Sequence, residues 1–373
     1  MLAIFCLCIA IQCGYLLYFF LRAMLRNFST EADITAADKA SVTVVICAKN
    51  EAENLRNHLP LVLSQQYHDH LGYPLFDVLV VNDGSADHTE EVLHTLEKTH
   101  TNLRHITISP EEKRHFKGKK FALSRAIEQV TTDWMVLTDA DCRPSSNQWL
   151  LHMISPLSKG KEIVCGYGAY DVARGFLNAF VRWETMHTFL QYSSYTIAGI
   201  PYMGVGRNLA CTRSVFLKAQ QSQWWNALPS GDDDLLIRAA GTPTNTAIVA
   251  HPDSFTYSPA KVTWSEWLHQ KQRHLSTGKY YRPNIKMLLG LYGLSHALMW
   301  LLFFILLWYP SPLLVSALLF IRCIAYWMIW QKTATTLGDK KLGIWLPLCD
   351  ISWSIYNFAL SPFIFFKNQK QWK

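Results

Sequence analysis

Trp134-Met135-Val136-Leu137-Thr138-Asp139-Ala140-Asp141 is a short apolar run that ends in two aspartates one residue apart. The run is short and bulky enough for a buried strand, and the acids fall where such a strand meets its loop. The same design recurs upstream. Val42 to Cys47 runs into Ala48-Lys49-Asn50-Glu51, and Asp77 to Val81 runs into Asn82-Asp83-Gly84-Ser85. Leu103 to Ile108 and Ile163 to Gly166 read as further strands. Glu53 to Gln65, Thr89 to His100 and Lys120 to Gln129 read as the helices between them. Strands alternating with helices predict an α/β fold with a mostly parallel sheet covered on both faces. In such sheets ligands bind beyond the carboxyl ends of the strands, where these polar motifs fall.

Each motif has two readings. Asp139 and Asp141 repel one another when both are ionised, and a divalent cation that also binds substrate phosphates removes that cost. An isolated Asp-x-Asp more often caps a turn. Asp83 lies in Asn-Asp-Gly, which is turn chemistry, and is also placed to meet a nucleotide base or ribose. Gly118-Lys119-Lys120 precedes a helix expected to begin at Phe121. Two lysines at a helix start suit a diphosphate, although a solvated basic turn has the same composition. Gly231-Asp232-Asp233-Asp234 precedes an apolar helical run. Capping and dipole compensation account for part of it, and a general base for deprotonating a hydroxyl accounts for the excess. Gln270, Arg273 and His274 share one helical face in a Trp-rich stretch that also suits a helix lying on a membrane surface.

The 373-residue chain is 50% hydrophobic and only 17% charged, with 14 Trp. A soluble enzyme carries roughly a quarter charged residues, so this balance predicts membrane segments. Leu2 to Leu21, Met287 to Tyr309 and Leu313 to Trp330 are apolar stretches able to cross a bilayer, the last two forming a hairpin. Arg22 and Arg26 follow the first stretch, which predicts an uncleaved anchor with the next domain in the cytoplasm. Gly343 to Phe366 is interrupted by Pro347, Asp350 and Pro362 and is expected to re-enter or lie at the interface, leaving Lys367, Lys370 and Lys373 inside. The expected layout is an anchor over 1–24, a linker over 25–40, a catalytic domain over 41–260, an interfacial segment over 261–284 and a membrane region over 285–373. The expected location is the cell membrane, inner or plasma, as a multi-pass protein. The net charge of +7 fits cytoplasmic loops and an anionic substrate, and no basic run interleaved with aromatics points to nucleic acid. None of the nine Cys forms a CxxC pair, which argues for reduced, buried thiols rather than a zinc or redox motif.

In this order the motifs resemble those of family 2 glycosyltransferases with the GT-A fold. The nearest branch is the membrane-integrated one, similar to cellulose and hyaluronan synthases and ceramide glucosyltransferase. The resemblance covers Ser41 to about Tyr281. It implies a Rossmann-like catalytic domain between N-terminal and C-terminal transmembrane helices. It implies that Ala48, Asn50, Glu51 and Asp83 line a nucleotide sugar, most simply a UDP-sugar, and that Lys119 or Lys120 meets the diphosphate. Asp139 and Asp141 would hold Mg²⁺ or Mn²⁺. Gln270 and Arg273 would also serve the diphosphate. Gly204-Val205-Gly206-Arg207-Asn208 would present the acceptor, its glycines allowing close approach. The family's base is the second acid of an acidic pair. The triple acid leaves Asp232 and Asp233 both open, Asp232 being favoured by the spacing to Leu235 and Arg238. His274 stands where the family carries Trp, which changes the acceptor wall.

The implied reaction is inverting transfer of a sugar to an acceptor hydroxyl. Membrane attachment points to a lipid or lipid-linked acceptor, with Phe176 to Ile200 either beside it at the interface or buried under the site. A metal-dependent nucleotidyl- or phosphotransferase, a processive polysaccharide synthase and a non-catalytic scaffold are the rival readings. The few membrane segments argue against a long polymer channel.

Overall fold

The computed structural model describes residues 1–26, 40–116, 118–228, 231–308, 310 and 312–366. Most of the expected linker and the basic residues Lys367, Lys370 and Lys373 lie outside that set. The chain divides into two units. One contains the strands, and the other is assembled from the N-terminal helices, Val172–Ile200 and the chain from Lys261 onward.

The strand-bearing unit is built on a seven-stranded sheet. Its strands are β1 (Val42–Ala48), β2 (Phe76–Asn82), β3 (Leu103–Thr107), β4 (Trp134–Asp139), β6 (Ile163–Cys165), β8 (Leu209–Thr212) and β9 (Thr246–Ile248), in the order β3-β2-β1-β4-β8-β6-β9. The first four are parallel, and β8 runs antiparallel to both β4 and β6. All seven residues of β1 are buried, as expected of a central parallel strand covered on both faces. Val42, Val44 and Ile46 share one apolar core with Leu55, Leu59 and Val62 of α3 (Ala52–Leu63) and with Trp149, Leu150 and Met153 of α6 (Trp149–Ser158). A smaller sheet orders β5 (Arg143–Pro144), β10 (Thr256–Ser258) and β7 (Gly168–Tyr170). From β1 the chain order moves outward through β2 and β3 and then crosses to β4 on the other side. The switch point where ligands dock in such sheets therefore lies between the ends of β1 and β4, at Cys47 opposite Asp139. The remaining helices of this unit are α4 (Thr89–Glu97), α5 (Lys119–Gln129), α8 (Arg213–Gln220) and α9 (Asp232–Ala240).

In the helical unit, α1 (Leu2–Tyr15) passes through one wide turn into α2 (Leu21–Leu25), making one apolar stretch over Leu2–Leu25. Among the described residues, this stretch, α11 (Pro283–Leu306) and α12 (Pro312–Thr336) are the helices long and apolar enough to cross a membrane. The interrupted segment, expected to re-enter or lie at the interface, forms one continuous helix, α13 (Leu346–Phe366). Its polar residue is satisfied locally. Asp350 accepts from Arg322, and its Oδ1 lies 2.9 Å from His296 Nε2. Arg322 Nη2 donates to Gln12 Oε1 at 3.1 Å, and Gln12 Nε2 donates to Tyr292 O and Ser295 Oγ. One polar network thus ties α1, α11, α12 and α13 together, which lowers the cost of burying these groups among apolar helices.

α7 (Phe176–Ile197) spans most of that aromatic stretch. Trp183, Phe189, Tyr192 and Tyr195 are all buried, and Trp183 Nε1 donates to Tyr326 Oη at 3.0 Å. It is a core helix of the helical unit rather than an exposed aromatic face. α10 (Trp264–Leu275) begins with a capping box between Thr263 and Glu266, and its Lys271 is buried against Glu184 of α7.

Candidate active site

Three strand ends and one helix start bring the acids together. Lys119 Nζ donates to Asp139 Oδ1 at 2.5 Å and lies 4.0 Å from Asp232 Oδ2. The thiol of Cys47, at the end of β1, is within electrostatic reach of Lys119, Asp232, Asp139 and Asp83 at once. Burial, above all, pushes that thiol up to about 12, so it stays neutral among them. Burial alone would lower Lys119, but Asp139 and Asp232 hold it well above the ordinary lysine value. It therefore carries a fixed positive charge in a buried acidic cleft. The helix begins at Lys119 rather than at Phe121, so both lysines belong to its first turn.

Asp139, Asp141 and Cys142 offer donor atoms all within 4.8 Å of one another. Burial and then Asp139 raise the carboxyl of Asp141, the sign of two acids that lack a sufficient countercharge. Burial and both aspartates hold the Cys142 thiol well above its ordinary value, and its Sγ–H points at Asp141 Oδ1, 3.6 Å away. With the sulfur kept protonated, the donors are carboxylate oxygens. That set fits a hard cation such as Mg²⁺ or Mn²⁺ completed by phosphate oxygens.

Asp232 and Asp233 open α9, beside the loop that carries Gly206. Asp233 Oδ2 accepts from Gly206 N at 2.8 Å, and its Oδ1 accepts from Asp234 N at 2.9 Å. Burial and then Asp232 push Asp233 up to about 6. A Cβ on Gly206 would stand 3.5 Å from Asp233 and 3.6 Å from Asp232, so the loop and the acids are in contact.

Asp83 is fully buried, and Arg114 grips it with two bonds, Nη2 to Oδ1 at 2.6 Å and Nη1 to Oδ2 at 3.2 Å. Nothing in the sequence marked Arg114, which sits in a polar loop without periodicity. Asn50 has φ of 55°, a left-handed conformation that Asn tolerates better than most residues. Its Oδ1 accepts from Ala86 N and its N–H donates to Ser85 Oγ, so the loops after β1 and β2 are laced together. Glu51 is buried there, with its N–H on Thr89 Oγ1 and its Oε2 accepting from Asn54. Ala48 closes β1 and its carbonyl accepts from Asp83 N.

Four expected site residues are placed otherwise. Lys120 donates to Trp225 O at 2.8 Å and Leu228 O at 2.9 Å, with Trp225 stacked near its ammonium. It supports a loop and is not aimed at Asp139. Asn208 is fully buried, accepting from Trp149 Nε1 and donating to Tyr167 O and Ser254 O, so no amide hydrogen is left for an acceptor. Gly204 faces protein, since a Cβ there would meet Ile237 Cδ1 at 2.9 Å. Arg207 donates to Gly168 O and Ser258 Oγ and lies over Tyr170, bracing the small sheet while its charge lowers Asp141. Gln270, Arg273 and His274 lie on α10 of the helical unit, where Gln270 and Arg273 are half-buried and His274 is exposed.

Residues 43–204 match the family described as glycosyl transferase family 2. That segment is thus similar to family 2 glycosyltransferases, and the sheet around it has the GT-A fold. It is 25% identical over 247 residues to the probable glycosyltransferase YdaM of Bacillus subtilis, covering 64% of this chain and 55% of that one. It is 30% identical over 178 residues to the glycosyltransferase AglE of Haloferax volcanii, covering 48% and 52%. The chain spans about half the length of these curated relatives. A mannosyltransferase from Pyrobaculum calidifontis, solved with GDP-mannose and Mn²⁺, shares the fold over 95% of this chain and 99% of its own, with a TM-score of 0.58 and 18% identity.

Proposed function

We propose that this protein transfers a sugar, with inversion, from a nucleoside diphosphate sugar to a hydroxyl of a lipid or lipid-linked acceptor at the cytoplasmic face of a membrane. The observation that carries the reading is the meeting of Asp83, Asp139, Asp232 and Lys119 around the end of β1, with Asp141 beside Asp139. Asp83 and the laced loops after β1 and β2 receive the nucleoside. Asp139 and Asp141 would hold a divalent cation, which would supply neutralising charge at the diphosphate. Lys119, fixed in its cationic state, adds charge that requires no reorganisation as the leaving group departs.

Asp232 serves as the base. Both oxygens of Asp233 already accept backbone N–H bonds, whereas Asp232 faces Gly206 and the Lys119 ammonium. Asp233 holds the Gly206 loop in place. The acceptor oxygen forms its bond to the anomeric carbon as the bond from that carbon to the diphosphate oxygen breaks on the opposite face. The acceptor proton passes to Asp232.

The three membrane-length helices support a membrane-held acceptor, because the sugar donor itself is water-soluble. The deciding experiment screens UDP- and GDP-sugars with the purified full chain and Mn²⁺, then extracts membranes given the labelled donor. Transfer of label into the lipid phase with an inverted anomeric centre is expected. Label confined to water-soluble product, or transfer of the nucleotide in place of the sugar, rejects the proposal.

A further inference from the structure

At the other edge of the parallel sheet, β3 and α4 bring two imidazoles to one carboxylate. Glu90 and His94 stand four residues apart on α4 and so share one helical face. His105 lies on β3 on the same side as Leu103 and Thr107, by strand alternation. Glu90 Oε1 is 3.2 Å from His105 Nε2 and 3.5 Å from His94 Nε2. One donor atom from each of the three residues lies within 4.8 Å of the others. The two rings meet edge to face, with centroids 4.8 Å apart.

We propose that Glu90, His94 and His105 form a binding site for a divalent cation of the zinc class, separate from the carboxylate pair at Asp139 and Asp141. Metal–ligand distances of ~2.0–2.1 Å in a tetrahedral site put neighbouring donor atoms about 3.4 Å apart, which matches the two separations observed here. Two imidazole nitrogens and one carboxylate oxygen are borderline donors that favour Zn²⁺ over Mg²⁺ or Mn²⁺. Three protein ligands leave a fourth position for water.

The surroundings are arranged as they are around metal ligands. The second oxygen of Glu90 accepts from Asn82 Nδ2 at 2.5 Å and Thr107 Oγ1 at 2.6 Å, which leaves Oε1 turned toward the histidines. The Nδ1 of His105, whose side chain is 7% exposed, stands 2.7 Å from Glu97 Oε1. That oxygen accepts from the His105 backbone N–H at 2.7 Å, and the buried Nδ1 itself makes no hydrogen bond. Glu90 Oε1 thus faces the Nε2 atoms of both His105 and His94.

The test uses the full chain in detergent, purified without a histidine tag and stripped with chelator. Zn²⁺ is titrated in competition with a chromophoric chelator, and Co²⁺ is added separately for its visible ligand-field absorption. Both are run on the unsubstituted protein and on Asp139→Asn/Asp141→Asn, which disables the other site. One equivalent that survives in the double variant, with the absorption of a tetrahedral Co²⁺ site, is expected. His94→Ala, at a side chain 61% exposed, should lose that equivalent with the circular dichroism spectrum unchanged. Absence of the equivalent in the double variant, or unchanged binding in His94→Ala, overturns the proposal and shows that protons hold the cluster.

Discussion

Arg114 and Asp83 are joined by two bonds, 2.6 and 3.2 Å long, in the fork geometry that an arginine makes with a carboxylate. Asp83 is fully buried, whereas the arginine side chain is about one-third exposed. The arginine is therefore the part able to move when a nucleoside arrives, and it fixes the carboxylate until then. Arg114→Ala is expected to raise the donor KM about tenfold, or ~1.4 kcal/mol, with a smaller change in kcat. Steady-state kinetics with varied nucleotide sugar measure the split, and a pure kcat defect would contradict this role.

The proposed mechanism gives Asp141 the role of a cation ligand. Asp141→Ala is expected to lower kcat by ~10²–10³ or more, the range for losing one electrostatic stabiliser of a departing anion. Removal of divalent metal with a chelator should produce the same loss in the unsubstituted protein and none beyond it in the variant. Wild-type turnover by Asp141→Ala would remove the pair from the mechanism.

Asp232 and Asp233 separate by pH. Asp233 is pushed up to about 6, so it is ionised at neutral pH and gains a proton as pH falls through 6. Its protonation removes an acceptor for Gly206 N–H, and activity should decline on that acid limb. Asp233→Asn should flatten the limb, while Asp232→Asn should be inactive throughout.

The sign for stability is opposite. With a folded value above the unfolded ~3.9, the native state binds more protons between pH 4 and 6, so this group costs stability as pH rises through that window. Asp233→Asn is therefore expected to be more stable than the parent at pH 7, by about 2–3 kcal/mol as an upper figure. Thermal denaturation from pH 4 to pH 7 reads it, with the gain growing as pH rises through that window.

The adjacent lysines are expected to fail differently. Lys119→Met should lower kcat, because Asp139 and Asp232 lose their shared cation. Lys120→Met should leave two carbonyls, those of Trp225 and Leu228, without their donor, costing about 1–3 kcal/mol. Amide exchange across Trp225 to Leu228 should quicken in Lys120→Met and not in Lys119→Met.

Asp350 tests the helical unit. It is buried and pairs with Arg322 and His296 among apolar helices. Asp350→Ala leaves the Arg322 guanidinium without its carboxylate, a loss of about 3–5 kcal/mol. A lower melting temperature in detergent is the measurement, and an unchanged one would mean that Gln12 alone satisfies the arginine.

The strand ends were legible because buried parallel strands are unbroken apolar runs, and an acid directly after one has few structural reasons to be there. β1, β2 and β4 and their acids were found that way. What stayed hidden depends on contacts distant in sequence. Lys119 and Lys120 are neighbours of identical chemistry, and only the fold aims one at Asp139 and the other at Trp225 and Leu228. Asn208 looked like a sugar-facing amide in a glycine-rich loop, yet it bonds Trp149, 59 residues earlier. Pro347, Asp350 and Pro362 looked like breaks in α13. A proline in the first turn costs a helix no hydrogen bond, and the partners of Asp350 come from α11 and α12. The grouping of Val172–Ile200 with the membrane-length helices could not be seen either, since no change of composition marks it.

The position of β8 has a consequence for biosynthesis. It pairs with β4 on one side and β6 on the other, although both precede it in the chain. A ribosome emits residues at ~5–20 per second, so the outer edge of β4 stays bare for several seconds after its own synthesis. An uncovered strand edge is a template for the wrong partner. The nascent chain is thus most exposed to misassembly midway through translation, and slowing elongation between β4 and β8 should lower the yield of folded protein more than the same pause placed after β9.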